Sequence, residues 1–111
     1  MDLSFRTNKL RRICEDERRA VREHGADNAR KLRLRLVDIR TSATLADLLR
    51  ITAARCHDLH GDREGEWAVP LQGLWRLVFR LDQTPLPRTA HGEVDLAQIV
   101  SLEIVRIEDY H

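Results

Sequence analysis

The apolar residues change period near the middle of the chain, and that change limits the folds open to it. From Asp27 onward, Ala29, Leu32, Leu36 and Ile39 recur at three- and four-residue spacing. The spacing puts them on one face of a helix and turns Arg30, Arg33 and Arg40 away from it. In the second half, Trp67 to Leu71 and Leu74 to Arg80 are rich in β-branched and aromatic residues and are separated by Gln72-Gly73. Glycine there can supply a turn with positive φ, so the two segments predict an antiparallel hairpin. Leu102 to Glu108 alternates and predicts a last strand, with Leu102, Ile104 and, less regularly, Val105 and Ile107 toward the core.

The remaining segments fill in the architecture. Leu3 to Arg6 alternates as a short strand does, and Thr7 or Asn8 offers a cap for a helix through Lys9 to Cys14. Glu15 to His24 is almost wholly charged, with Ala20 and Val21 its apolar members. It reads either as an exposed extension of that helix or as a charged connector, ended by Gly25. Thr44 to Leu49 predicts a further short helix with Ser42 or Thr44 as its cap. Asp82 to Gln98, carrying Pro85, Pro87 and Gly92, is long for a hairpin loop, and such loops tend to be functional or mobile. This order predicts an α+β fold in a single domain spanning residues 1–111: an N-terminal strand, then two to three helices packed on one face of an antiparallel β-sheet.

Charge narrows the partners. Divided after Arg40, the front of the chain carries a net +5 and the rest a net −4, for the overall +1. Nearly all the cations are arginine, which binds phosphate bidentately and stacks on bases better than lysine. Nucleic acid is therefore a natural partner, although a solvated helical face explains the same charges. No stretch approaches the roughly 20 consecutive apolar residues that a membrane span needs. The start of the sequence lacks the basic region and apolar run of a secretory signal, so the expected compartment is the cytoplasm. Cys14 and Cys56 are too few for a disulfide framework and are expected to be free thiols. A metal site from Cys56-His57-x-x-His60 with Cys14 matches no structural zinc spacing and is not expected.

Three pieces of sequence in the second half carry a resemblance. They are Cys56-His57-Asp58-Leu59-His60-Gly61-Asp62-Arg63-Glu64-Gly65-Glu66-Trp67, then Leu74-Trp75-Arg76-Leu77-Val78-Phe79, then Glu108-Asp109-Tyr110-His111. Together they resemble the HigB killer toxins of the RelE/ParE toxin superfamily. Members of that family share a His-x-Leu-x-Gly-Asp-Arg-x-Gly-x-Trp stretch, a Trp-Arg-hydrophobic strand and a terminal Asp-Tyr-His. The resemblance runs from about Arg55 to the end, whereas the arginine-rich front agrees in architecture more than in sequence. Two features depart from it: His60 stands where many members carry lysine, and the Asp82 to Gln98 loop is longer than in compact members.

The resemblance implies a ribosome-dependent messenger-RNA endoribonuclease, silenced by a HigA-like helix-turn-helix antitoxin, working without metal or other cofactor. In such chemistry the substrate's 2′-hydroxyl attacks the adjacent phosphate. A base takes its proton, a cation steadies the phosphorane and an acid protonates the leaving oxygen. The implied catalytic residues are His57, Arg76, Asp109, Tyr110 and His111. Arg76 would be the phosphate clamp, Tyr110 a stacking or hydrogen-bonding group, the histidines the proton carriers, and Asp109 either a base or the group that orients a histidine and raises its basicity. His60 and Arg63 would be secondary cations, and Arg30, Arg33 and Arg35 would grip ribosomal RNA. Taken singly each residue has a plainer role: His57 on the surface, His111 at a frayed end, Arg76 paired with Glu103 across strands, Tyr110 closing the core. Trp67 and Trp75 are assigned to packing. Two other functions stay open on the same fold, a non-catalytic ParE-like toxin and a simple nucleic-acid-binding adaptor.

Overall fold

The structure, a computed structural model, describes residues 1–60 and 65–110. Side-chain caps and one glycine divide the front of the chain. Thr7 accepts a hydrogen bond from the Leu10 amide and starts α1 (Asn8–Glu15). Asp16 stops that helix and starts the next, α2 (Glu17–His24), by accepting from the Arg18 and Arg19 amides. The charged run is thus neither an extension of α1 nor a connector but a separate helix, with Ala20 buried and Val21 exposed. Gly25, at φ 85, folds the chain back in one residue into α3 (Ala26–Thr41). Residues with a Cβ rarely adopt that angle. The Arg33–Glu17 ion pair, at 3.1 Å, ties the middle of α3 to the start of α2. α4 (Leu45–Leu49) is closed by a reciprocal cap between Thr44 and Asp47, so Thr44 rather than Ser42 begins it.

Five strands follow the order β1-β5-β4-β3-β2: β1 (Asp2–Phe5), β2 (His57–Asp58), β3 (Glu66–Pro70), β4 (Trp75–Leu81) and β5 (Ser101–Asp109). The α+β class and the helical layer on one face are as expected. One feature is added: β1 lies parallel to β5, so the sheet is mixed rather than wholly antiparallel. Alternation within one strand carries no information about the direction of its neighbour, which is why the pattern could not reveal this.

Ala29, Leu32, Leu36 and Ile39 of α3 pack with Val69, Leu77, Phe79, Leu102 and Ile104 of the sheet. Each fully buried side chain of this kind contributes about 1.5–3 kcal/mol. Trp67 and Trp75 pack against this cluster, as expected. The face away from the helices carries a smaller apolar patch of Leu59, Ala68, Val78 and Val105. Val105 belongs there and not to the main core, because the β4–β5 register slips between Val78 and Phe79: Val78 pairs with Arg106, while Phe79 pairs with Ile104. The extra residue is a bulge. It restores Ile107 to the helical side and sends Arg106 and Glu108 to the open face.

The long loop is folded. Arg88 and Val94 form an isolated bridge, Leu86, Val94 and Leu96 pack on the main core, and Leu96–Gln98 makes a 3-10 turn. Gln83 fastens its base by accepting from the Val100 amide at 2.6 Å.

Candidate functional site

Strand register decides which side chains share the open face. Pro70, Arg76 and Glu108 form one cross-strand row, and His57, Ala68, Val78 and Arg106 form the next. Residues paired in this way project to the same side of a sheet. His57 and Arg76 therefore share a face, separated by two strand spacings, about 10 Å, and two residues along, about 7 Å. Between them lie the small apolar residues Ala68 and Val78, both without solvent exposure.

Arg76 is held from two sides. Its Nε donates to Glu108 Oε2 at 2.7 Å, and its Nη2 lies 2.6 Å from the same oxygen. The Tyr110 ring lies 4.1 Å from the guanidinium carbon, a cation–π contact. Glu108 Oε1 in turn accepts from Arg106 Nε at 2.5 Å, and Arg106 Nη2 bonds to Glu66 on the far strand. The chain Tyr110, Arg76, Glu108, Arg106, Glu66 crosses the open face from β5 to β3, on the side that also holds the apolar patch of Val78. The expected cross-strand partner of Arg76, Glu103, is corrected here: Glu103 lies opposite Arg80 and pairs with Arg6 at 3.5 Å. Tyr110 does not close the core, since it is half exposed.

His57 is exposed on edge strand β2. Its Nδ1 lies 2.9 Å from the Arg55 carbonyl oxygen. A carbonyl only accepts, so Nδ1 carries the proton, and the neutral ring keeps its lone pair on Nε2. Arg55 presents that carbonyl from a left-handed backbone, φ 51, unusual for a residue with a side chain. Cys56 is a poor nucleophile or ligand: burial first, and the nearby Asp58 second, push its thiol up to about 12. Burial pushes Cys14 up to about 12 as well. Neither is a thiolate at neutral pH.

The other expected residues are placed less centrally. Asp109 pairs in register with Trp75, so alternation directs it to the helical side, away from Glu108 and Tyr110. The carboxylate set against Arg76 is Glu108. His60 is exposed, with Nε2 3.7 Å from Asp58 Oδ1. Arg63 and His111 lie outside the described residues. Arg30 and Arg33 lie across the sheet, on the solvent side of the helical layer, where Asp27 and Glu17 pair with them. Arg35 is not available with them: it is buried and held by Asp38 at 2.9 Å, which corrects its expected place on a phosphate-gripping surface.

Sequence reasoning assigned no role to Glu108, Arg106 or Glu66. The available signal was alternating charge at two-residue spacing, Arg106 then Glu108, but the bulge at Val105 hid which face those residues occupy.

No protein-family model matches the sequence, and no curated protein matches it. Among solved structures the chain is similar to a YoeB/ParE toxin from Agrobacterium tumefaciens, at 13% sequence identity and a TM-score of 0.55 over all of both chains. At that identity the likeness speaks for the fold: a four-helix layer on a five-stranded mixed sheet, among the described residues, shared with a toxin of the YoeB/ParE kind.

Proposed function

We propose that this protein is the toxin of a toxin–antitoxin pair, a HigB-like endoribonuclease that cuts messenger RNA on the ribosome. The observation that carries the reading is Arg76, held edge-on by Glu108 and face-on by Tyr110 on the open side of the sheet. A guanidinium has five N–H donors; Glu108 accepts from that of Nε and lies against Nη2, so the donors turned away from it remain for a phosphate. The fold shared with a YoeB/ParE toxin and the three sequence motifs support the same reading.

The chemistry then follows from the side chains. The 2′-hydroxyl attacks the neighbouring phosphorus and loses its proton to His57 Nε2, the nitrogen that the Arg55 carbonyl leaves as acceptor. Arg76 carries the charge that builds on the phosphorane oxygens. Tyr110, half exposed and already stacked on Arg76, offers a surface for a base of the message. Protonation of the leaving 5′-oxygen falls to His111, the motif residue that remains once Asp109 is turned to the helical side. The basic helices contact ribosomal RNA, the ribosome positions the message, and isolated RNA is a poor substrate. A HigA-like helix-turn-helix protein is the expected antitoxin, and the cytoplasm the place of action.

Primer extension on cellular messages after induction tests this. Cuts within translated codons, lost in His57→Ala, are expected. Growth arrest with intact messages and broken DNA would instead favour a ParE-like poison on the same fold.

A further inference from the structure

Among the described residues, one strand cation of the open face has no ion-pair partner. Arg80 follows Arg76 by four residues on β4, on the same side, about 13 Å along the strand. Its cross-strand neighbours are Glu66 and Glu103, but each of these carboxylates is taken by another arginine: Glu66 by Arg106, and Glu103 by Arg6. Arg80 is exposed and has no ion-pair partner among the described residues.

Arg80 opens into a cleft of about 460 Å³ between the β2–β3 end of the sheet and the long loop. That volume lies in the range of small-molecule sites, roughly 300–1,000 Å³. The loop supplies a second cation, Arg88, whose Nη1 donates to the Gly92 carbonyl at 2.9 Å and whose other donors are uncommitted among the described residues. It also supplies apolar lining, Leu86 and Val94, and the sheet end adds Leu59. Asp58 adds carboxylate oxygens as hydrogen-bond acceptors to the lining. Two guanidinium groups, an apolar slot and acceptors make the complement of a nucleotide: phosphate, base face and base amino groups.

We infer that this cleft is a subsite for a nucleotide of single-stranded RNA flanking the cleaved bond, formed by Arg80 on the sheet and Arg88 on the loop. This rests on the endoribonuclease reading and extends it. The distance from Arg76 places the bound nucleotide beside the scissile bond and not on it. The extra length of the 82–98 loop thus enlarges the substrate surface.

The test uses programmed ribosomes and two readouts. For crosslinking, the message carries a 2′-deoxynucleotide at the scissile position, so that it cannot be cut, and 4-thiouridine at successive flanking positions. One flanking position is expected to crosslink to the 80–94 segment, with the yield reduced in Arg80→Ala. On natural message, Arg80→Ala and Arg88→Ala are each expected to raise KM about tenfold, roughly 1.4 kcal/mol, with kcat within about twofold. Arg80→Lys, which keeps the charge, should recover part of the loss. Active wild-type protein with unchanged KM in both alanine variants, or crosslinks mapping only elsewhere, overturns the subsite and leaves the enzyme reading intact. Absence of cleavage by the wild-type protein removes both.

Discussion

On β4, Leu77 and Phe79 point into the helical layer, while Arg76, Val78 and Arg80 point the other way. The two sets alternate along seven residues of one strand, yet their surroundings differ in kind. The helical side is filled by apolar groups from the four α-helices and the sheet. The open side buries Val78 in a four-residue apolar patch, carries a line of paired charges on the same face and leaves Arg80 to solvent. The contrast teaches that burial alone does not mark the core of this protein. Val78 and Phe79 are equally inaccessible, but Phe79 belongs to the main core, whereas Val78 belongs to a small patch on a face occupied mainly by ion pairs.

The largest effect should come from the helical side. Phe79→Ala removes a large, fully buried ring and is expected to lower unfolding free energy by about 3–5 kcal/mol, read by denaturant titration. Arg76→Ala on the other side should leave a folded protein but reduce message cleavage roughly 10²–10³-fold. Equal stability losses for the two would erase the distinction between the faces. Glu108→Gln sharpens it further. It keeps an oxygen facing Arg76 but discards the charge, and should cost about 1.5–3 kcal/mol in transition-state stabilisation, seen in kcat more than in KM. Unchanged kcat would mean that Glu108 braces the sheet and does not position Arg76.

How legible each face was in the sequence follows from the same contrast. The helical side repeats over whole elements: the three- and four-residue spacing of Ala29, Leu32, Leu36 and Ile39 needs no knowledge of neighbours, and all four are buried. Caps were local too, and Thr7, Thr44 and Gly25 could be read from a few residues. Asp16 was missed although it follows the same capping rule, because charges on either side masked it. The open side depends on register, which is non-local. Motif resemblance singled out Arg76, Tyr110 and His57, but not that Glu108 faces Arg76 while Asp109 turns toward Trp75. One inserted residue at Val105 sets that phase, and no period analysis of β5 alone could have located its partner on β4.

His24 tests the border between α2 and the start of β4. Its ring meets Trp75 edge-on, with centroids 5.0 Å apart, and its Nδ1 is buried with no hydrogen-bond partner among the described residues. Burial is the main cause holding its pKa below 6.5, with Lys9 adding and Glu23 opposing. The unfolded chain therefore binds this proton more readily, so stability should be at its plateau above about pH 6.5 and fall as the pH drops from there toward the folded pKa. His24→Phe keeps an aromatic ring against Trp75 and should flatten that limb of a thermal-denaturation profile between pH 7 and 5. An unaltered limb would assign the acid sensitivity to the carboxylates instead.

The smallest effect on the fold is expected from Arg30 and Arg33, and it reports on the outer surface of the helical layer. Their ion pairs with Asp27 and Glu17 are exposed, with arginine side chains about 60% accessible. Exposed pairs contribute about 0–1 kcal/mol. Arg30→Ala with Arg33→Ala should therefore leave the unfolding midpoint nearly unchanged. If this surface grips ribosomal RNA through both side chains, the logarithmic salt dependence of ribosome binding should become shallower by roughly 1.4–1.8, while kcat at saturating ribosomes stays the same. Neither arginine lies near Arg76, so a loss in kcat would contradict their separation by the sheet. A salt slope identical to that of the wild-type protein would make the basic helices a solvated surface, and would leave the open face to carry RNA recognition alone.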